Sequence, residues 1–469
     1  MDKKKRIIGI AILVVVIISI LGLVIYKKLS TQNSSESLSN IVSNLKINKE
    51  DDGDFDEDNV TTVDSSSNYT ITKGGVYTFT SDINGCITVE TDENVKIVLN
   101  NVTITNSSGP AINVINAKNT YIELIGTNKI VASGTEDYDA AIYSADDLIL
   151  QGSGTLYVES QTDGITSKDD LTINGGTYII TSNDDGIKGR DSVIINDGNI
   201  NITAKGDGIK ATNDEDTSKG YVIVNDGTIV INAGTDGIQA ETSIIINDGE
   251  FDIKTGSGST VTAKTNMFNS NTSTSDESMK GIKAGSVIEI VSGTITINAQ
   301  EDAIHSDGVI NINGGTMNLS ASDDGIHADE IVTINGGVID ITASEGIEAT
   351  YVKINDGTLT ISASDDGINA SNKSSKYTIT VEINGGNITI TMGQGDTDAI
   401  DSNGNIYING GTLNITAQSP FDYDGEAKYS GGTMIVNGTK TTSITNQMMG
   451  GGQAMGQNQG MMGPGQRRR

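Results

Sequence analysis

Through the middle of the chain, apolar residues alternate with polar ones in short runs, and the runs come in pairs around an asparagine-glycine corner. Val193 and Ile195 precede the corner at Asn196-Asp197-Gly198, and Ile200 and Ile202 follow it. Val332 and Ile334, then Ile339 and Ile341, repeat this around Asn335. A period of two puts one face of a strand into a core, and glycine-bearing corners mark tight bends. With the Asp-Gly-Ile run ahead of each pair, the pattern predicts three short strands per unit.

The units recur. The aspartate before glycine falls at Asp163, Asp185 and Asp207, a step of 22, and the position returns at Asp302 (before Ala303), Asp324 and Asp366, with Glu345 between the last two. A chain that coils with a fixed period stacks each strand on its counterpart one coil on, giving parallel sheets whose crossover is the rest of the coil. The fold class predicted is all-β, a right-handed parallel β-helix of about sixteen coils of roughly 22 residues, rising about 4.8 Å per coil to a rod of about 75 Å. Asn174, Asn196, Asn225, Asn247, Asn313, Asn335, Asn355, Asn384 and Asn409 share one corner. Stacked amides there can hydrogen-bond from coil to coil, and the glycine beside them permits positive φ. Insertions at 213–219, 255–278 and 371–376 interrupt the period.

The chain ends follow other patterns. Lys3, Lys4, Lys5 and Arg6 precede an apolar run from Ile7 to Tyr26, long enough to cross a bilayer as one helix. No small-residue cleavage site follows, so residues 1–28 read as an uncleaved membrane anchor with its amino terminus in the cytoplasm. Residues 29–68 read as a disordered Ser/Asn-rich and acidic linker, 69–440 as the β-helix, and 441–469 as a low-complexity Met/Gly/Gln tail. This arrangement predicts a β-helix on the cell surface, anchored in the plasma membrane.

Charge narrows the partners. The formal net charge is -31, from 61 acidic and 30 basic residues, which argues against nucleic acid. Cys86 is the only cysteine, so an intrachain disulfide and a thiolate zinc cluster are both excluded. Asp163, Asp185, Asp207, Asp236, Asp302, Asp324, Asp366 and Asp398 fall on one edge, with Asp184, Asp323 and Asp365 beside them. Carboxylates about 4.8 Å apart repel unless protonated, splayed or bridged. Calcium, which takes oxygen ligands at about 2.3–2.6 Å, fits between two of them. The competing explanation is that these aspartates cap turns by accepting backbone N–H bonds.

A second column two residues after each glycine holds Thr166, Lys188, Lys210, Gln239, Lys283, His305, His327, Glu348 and Asn369. The cations Lys188, Lys210 and Lys283 are candidates for gripping an anionic sugar, and the stacked His305 and His327 for substrate contact, metal binding or proton transfer.

The motifs "DDGIKGR", "DDGIHADEIVTINGG" and "DDGINA", with "INGG" or "INDG" corners kept over residues 70 to 440, resemble those of bacterial cell-surface carbohydrate-binding β-helix proteins, similar in fold to calcium-dependent pectate lyases. The resemblance implies extracellular binding of plant-type polysaccharide, cellulose-like or polygalacturonate-like, with calcium as cofactor. Carried over residue by residue, the ligands implied are Asp184, Asp185, Asp207, Asp302, Asp323, Asp324, Asp365 and Asp366, with Asp163 joining them from the same column. Ser344-Glu345 and the sequence "MKGIKAG" at Met279 depart from the pattern. The expectation is a membrane-anchored, calcium-dependent polysaccharide binder; the alternatives are a calcium-dependent polysaccharide lyase with a lysine base, and a structural surface rod or adhesin.

Overall fold

The structure is a computed structural model that describes Phe55 and residues 59–261, 278–393 and 397–446. The expected membrane span, most of the linker, most of the 255–278 insertion and most of the tail lie outside the described residues. Among the described residues no helix is long and apolar enough to cross a membrane.

The described chain is all-β, with 43 strands joined in one continuous hydrogen-bonded system. Strands pair in parallel with their counterparts one coil on, as the alternation requires. On a first face Ile187–Gly189 meets Ile209–Ala211. On a second, Leu171 meets Val193, and Val193 meets Val222. On a third, Ile180 meets Ile202, and Ile202 meets Ile231. This return of three strands per period is consistent with a β-helix.

In-register pairing makes each inward position a column of its own kind. Ile165, Ile187, Ile209, Ile238, Ile282, Ile304 and Ile326 are all fully buried in one such column. Burying a side chain of this size is worth about 1.5–3 kcal/mol, so these columns supply the cohesion that holds the charged edge in place.

The corners obey the same rule. Asn196 Nδ2 donates to Asn174 Oδ1 at 2.7 Å, Asn225 to Asn196 at 2.7 Å and Asn247 to Asn225 at 2.7 Å. A second ladder runs from Asn313 through Asn335, Asn355 and Asn384 to Asn409, with bonds of 2.8 to 3.0 Å. Between the two ladders the position is Val291, 41% exposed, and Asn313 turns instead to Glu289 Oε1 at 3.3 Å. Gly198, two residues beyond Asn196, has φ of 141°, which only glycine adopts readily. The glycine of the Asp-Gly-Ile run is needed for lack of space. A Cβ on Gly186 would lie 2.5 Å from Ile202 Cγ2 and 2.6 Å from the Gly208 carbonyl oxygen.

Two features mark the ends of the described coil. Val60–Val63 pairs in parallel with Gly75–Phe79, so ordered coil begins inside the segment expected to be linker. Only Val63 of those four residues is buried, which left too little alternation to read. At the other end Thr433–Val436 folds back antiparallel on Thr439–Thr441. The turn is Asn437-Gly438, with φ of 49° and 77°, the positive pair a two-residue hairpin needs.

Replacing Val291 with asparagine should join the two ladders and raise stability to urea by about 1–2 kcal/mol, while Asn335→Ala, which removes two ladder bonds, should lower it by a similar amount. Urea midpoints unchanged in both variants would show that the ladder adds nothing net.

Candidate functional site

The first-face strands are short because the two residues before each, aspartate and glycine, make a tight bend. There the glycine N–H donates to the aspartate carbonyl of the next coil, as in Gly164 to Asp185 at 2.9 Å and Gly186 to Asp207 at 2.8 Å. The aspartate N–H needs another acceptor, and the carboxylate one coil back supplies it. Asp163 Oδ1 accepts from the Asp185 N–H at 3.0 Å, Asp185 Oδ1 from Asp207 at 2.9 Å, and Asp207 Oδ1 from Asp236 at 2.8 Å. Asp302 does the same for Asp324 at 3.1 Å, and Asp366 for Asp398 at 3.2 Å. Asp163, Asp185, Asp207, Asp302 and Asp324 are all buried. The capping geometry is therefore realised, from coil to coil rather than within a turn.

The second carboxylate oxygen faces a cation from the neighbouring column. Lys188 Nζ lies 3.0 Å from Asp163 Oδ2 and 3.2 Å from Asp185 Oδ2. Lys210 Nζ lies 2.6 Å from Asp207 Oδ2, and Lys283 Nζ 3.4 Å from Asp236 Oδ2. His305 Nδ1 lies 2.8 Å from Asp302 Oδ2, and His327 Nδ1 2.6 Å from Asp324 Oδ2. Lys188 thus bridges two rungs where the sequence suggested calcium. Burial alone would lower its pKa, yet Asp163 and Asp185 hold it above the usual lysine range. Burial pushes Asp163 up to about 6 against the pull of Lys188. Asp302 is held at about 2, because His305 and Lys280 outweigh its burial.

This compensation thins toward the carboxyl end. In the register of the cation column, Glu348 is followed by Asn369, then Asp401, then Asp422. Lys373 Nζ reaches Glu348 at 2.9 Å, but no lysine or histidine partner is seen on Glu345, Asp366 or Asp401 among the described residues. Burial first, then neighbouring carboxylates, raise Glu345 to about 7, Asp366 to about 8 and Asp401 to about 6. Asn369 Nδ2 donates to Glu345 Oε2 at 2.9 Å, leaving a buried Oδ1 without a hydrogen-bond partner. Glu345, Asp366 and Asp401 therefore meet the neighbouring carboxylates by holding protons that an ordinary carboxyl would have lost. Asp365 lies beside them, and its charge helps raise both Glu345 and Asp366.

The remaining predicted residues divide. Asp184 and Asp323 are exposed, each with an oxygen within 4.8 Å of the two buried aspartates of its group, Asp163 with Asp185 and Asp302 with Asp324. Lys210 and Lys283 line a groove of about 390 Å³ with Asp185, Asp207, Asp236 and Gln239. No aromatic ring lines it, so it can recognise hydroxyls and carboxylates but offers no stacking platform. Lys188, His305 and His327 stand outside the groove lining. A second acidic corner escaped the sequence reading: Asp147, Asp169 and Asp170 converge within 4.8 Å, and burial with the neighbouring Asp191 raises Asp169 to about 7. Its signal was the paired acids at 146–147 and 169–170, which follow the first-face strand in two successive coils.

Lys188→Met would leave Asp163 buried without its ammonium and Asp185 with only Lys210 at 3.8 Å. It should destabilise the protein by roughly 3–5 kcal/mol in urea unfolding, while the same change at exposed Lys205 should stay within about 0.5 kcal/mol. Equal effects would show that the bridge is not what stabilises the edge.

Comparison with known proteins places this edge in context. The profile of a family described as carbohydrate-binding domain-containing proteins matches residues 65–325 and 320–455. A carbohydrate-binding domain-containing protein of Acetivibrio thermocellus is 35% identical over 119 residues, 22% of this chain and 42% of that protein. The match therefore spans about two-fifths of that relative's length. A solved structure, the gadolinium derivative of a polysaccharide lyase-like protein from C. thermocellum, shares 33% identity over 42% of this chain and 90% of that one, with a TM-score of 0.39. On the extent of the profile match, the chain belongs to the family of carbohydrate-binding domain-containing proteins.

Proposed function

We propose that this protein binds an acidic polysaccharide of the polygalacturonate type in a calcium-dependent manner, and is displayed on the cell surface from the anchor at residues 1–28. Family membership supports polysaccharide binding in general. The observation that carries the finer reading is the change of character along one edge. A polar groove offers carboxylates at successive coils with Lys210 and Lys283 two coils apart, and farther along the same edge Glu345, Asp366 and Asp401 have no lysine or histidine partner among the described residues. Asp365, Asp366, Glu345, Asp401 and Asn369 Oδ1 would hold the calcium there. A bound ion would neutralise the edge and supply a positive site for a uronate carboxylate, which a chain of net charge -31 would otherwise repel.

The absence of aromatic rings from the groove favours a charged polymer over the flat surface of cellulose. The lyase alternative needs a lysine ready to accept a proton, and carboxylates hold Lys188 protonated.

Affinity gels containing polygalacturonate should retard the untreated protein and lose the effect in excess chelator. Asp366→Asn with Asp401→Asn should weaken the retardation, and cellulose should pull down little. Retention unchanged in chelator would overturn calcium dependence, and release of unsaturated uronides would favour the lyase.

Stability should also depend on pH in a defined direction. Unfolded carboxyls ionise near pH 4, whereas folded Glu345 and Asp366 keep their protons to about 7 and about 8. The folded form therefore binds more protons between those limits, so in chelator the melting temperature should fall as pH rises from 5 to 8.5. Millimolar calcium, binding the ionised groups, should flatten the fall. A melting temperature indifferent to calcium at pH 8.5 would count against the site.

A further inference from the structure

The chain has two histidines in 469 residues, and they occupy the same position of adjacent coils. Their rings stack with centroids 4.7 Å apart at 36°. Each sits in the same local frame, Asp-x-x-His-x-Asp: Asp302, His305 and Asp307 in one coil, Asp324, His327 and Asp329 in the next.

The frame gives the two ring nitrogens different tasks. Nδ1 of His305 meets buried Asp302 at 2.8 Å, and Nδ1 of His327 meets buried Asp324 at 2.6 Å and Glu348 at 3.3 Å. A carboxylate on Nδ1 fixes the proton there and makes Nε2 the ligand nitrogen, the arrangement usual behind metal-bound histidines. Nε2 lies 3.1 Å from Asp307 Oδ1 in one coil and 3.5 Å from Asp329 Oδ1 in the other. The side chains of those outer aspartates are 61% and 43% exposed, so an ion reaches them from solvent.

We propose that Nε2 of His305 and His327, with the carboxylates of Asp307 and Asp329, form a site for a borderline transition-metal cation of the zinc class. Two imidazoles and two carboxylates supply the four ligands such an ion takes in a tetrahedral site. Two nitrogen donors set it apart from the oxygen-only set proposed for calcium, which prefers oxygen. The two sites share no ligand, and this inference does not rest on the calcium reading. Competing cations stand close by: Lys280 lies 3.4 Å from Asp302, and Lys283 is in register with His305 one coil back.

The test uses untagged full-length protein, stripped with chelator and held at pH 8 in excess calcium. Titration with Zn²⁺ should show one ion bound per chain, and Co²⁺ should give the intense visible d–d bands of a tetrahedral site. His305→Gln with His327→Gln should abolish both signals. Because those changes touch the buried network, Asp307→Asn with Asp329→Asn provides a second variant that leaves it intact and should weaken Zn²⁺ binding by at least about tenfold. Absence of stoichiometric Zn²⁺ binding in excess calcium, or binding that survives the histidine changes, would overturn the proposal.

Discussion

Every side chain in this coil meets its own counterpart one turn later, at the spacing of parallel strands. That repetition rewards some residue types and penalises others. Isoleucine on isoleucine buries apolar surface, and asparagine on asparagine satisfies donor with acceptor. Aspartate on aspartate brings like charges together in a half-dry setting. The chemistry of the edge follows from how the chain answers that last case.

It answers in two ways. Over the stretch from Asp163 to Asp302, one carboxylate oxygen caps a backbone N–H in the next coil while the other faces a lysine or histidine, three residues along its own chain as at Asp207 and Asp302, or one coil on as at Asp163 and Asp236. Charge is balanced within the protein, and the remaining polar surface forms the groove. Beyond Glu348 the cation column changes to Asn369, Asp401 and Asp422, and the balance has to come from protons or from a bound ion. One scaffold therefore carries a self-neutralised segment and an acid-rich segment on the same edge.

Much of this was legible in advance. The period, the strand alternation and the asparagine corner are local and repetitive, and the structure realises each. The aspartate column was legible as a column, but its partners were not. Lys188 stands in the sequence as a polar residue beside a glycine, with no sign that its ammonium turns inward to join Asp163 and Asp185 rather than outward to a ligand. Periodicity fixes which face a residue is on, and leaves open where the end of a long side chain goes. The ordered strand at Val60–Val63 was hidden for a different reason: with one buried residue in four, it owes its conformation to the neighbouring coil rather than to its own pattern.

The antiparallel return at Asn437-Gly438 gives the last third-face rung a partner from its own chain. A parallel stack with a bare final edge is a template on which another copy can add its first strand, and then another. By folding Thr439–Thr441 over Thr433–Val436, the chain fills the edge on which a further parallel rung of that face would pair.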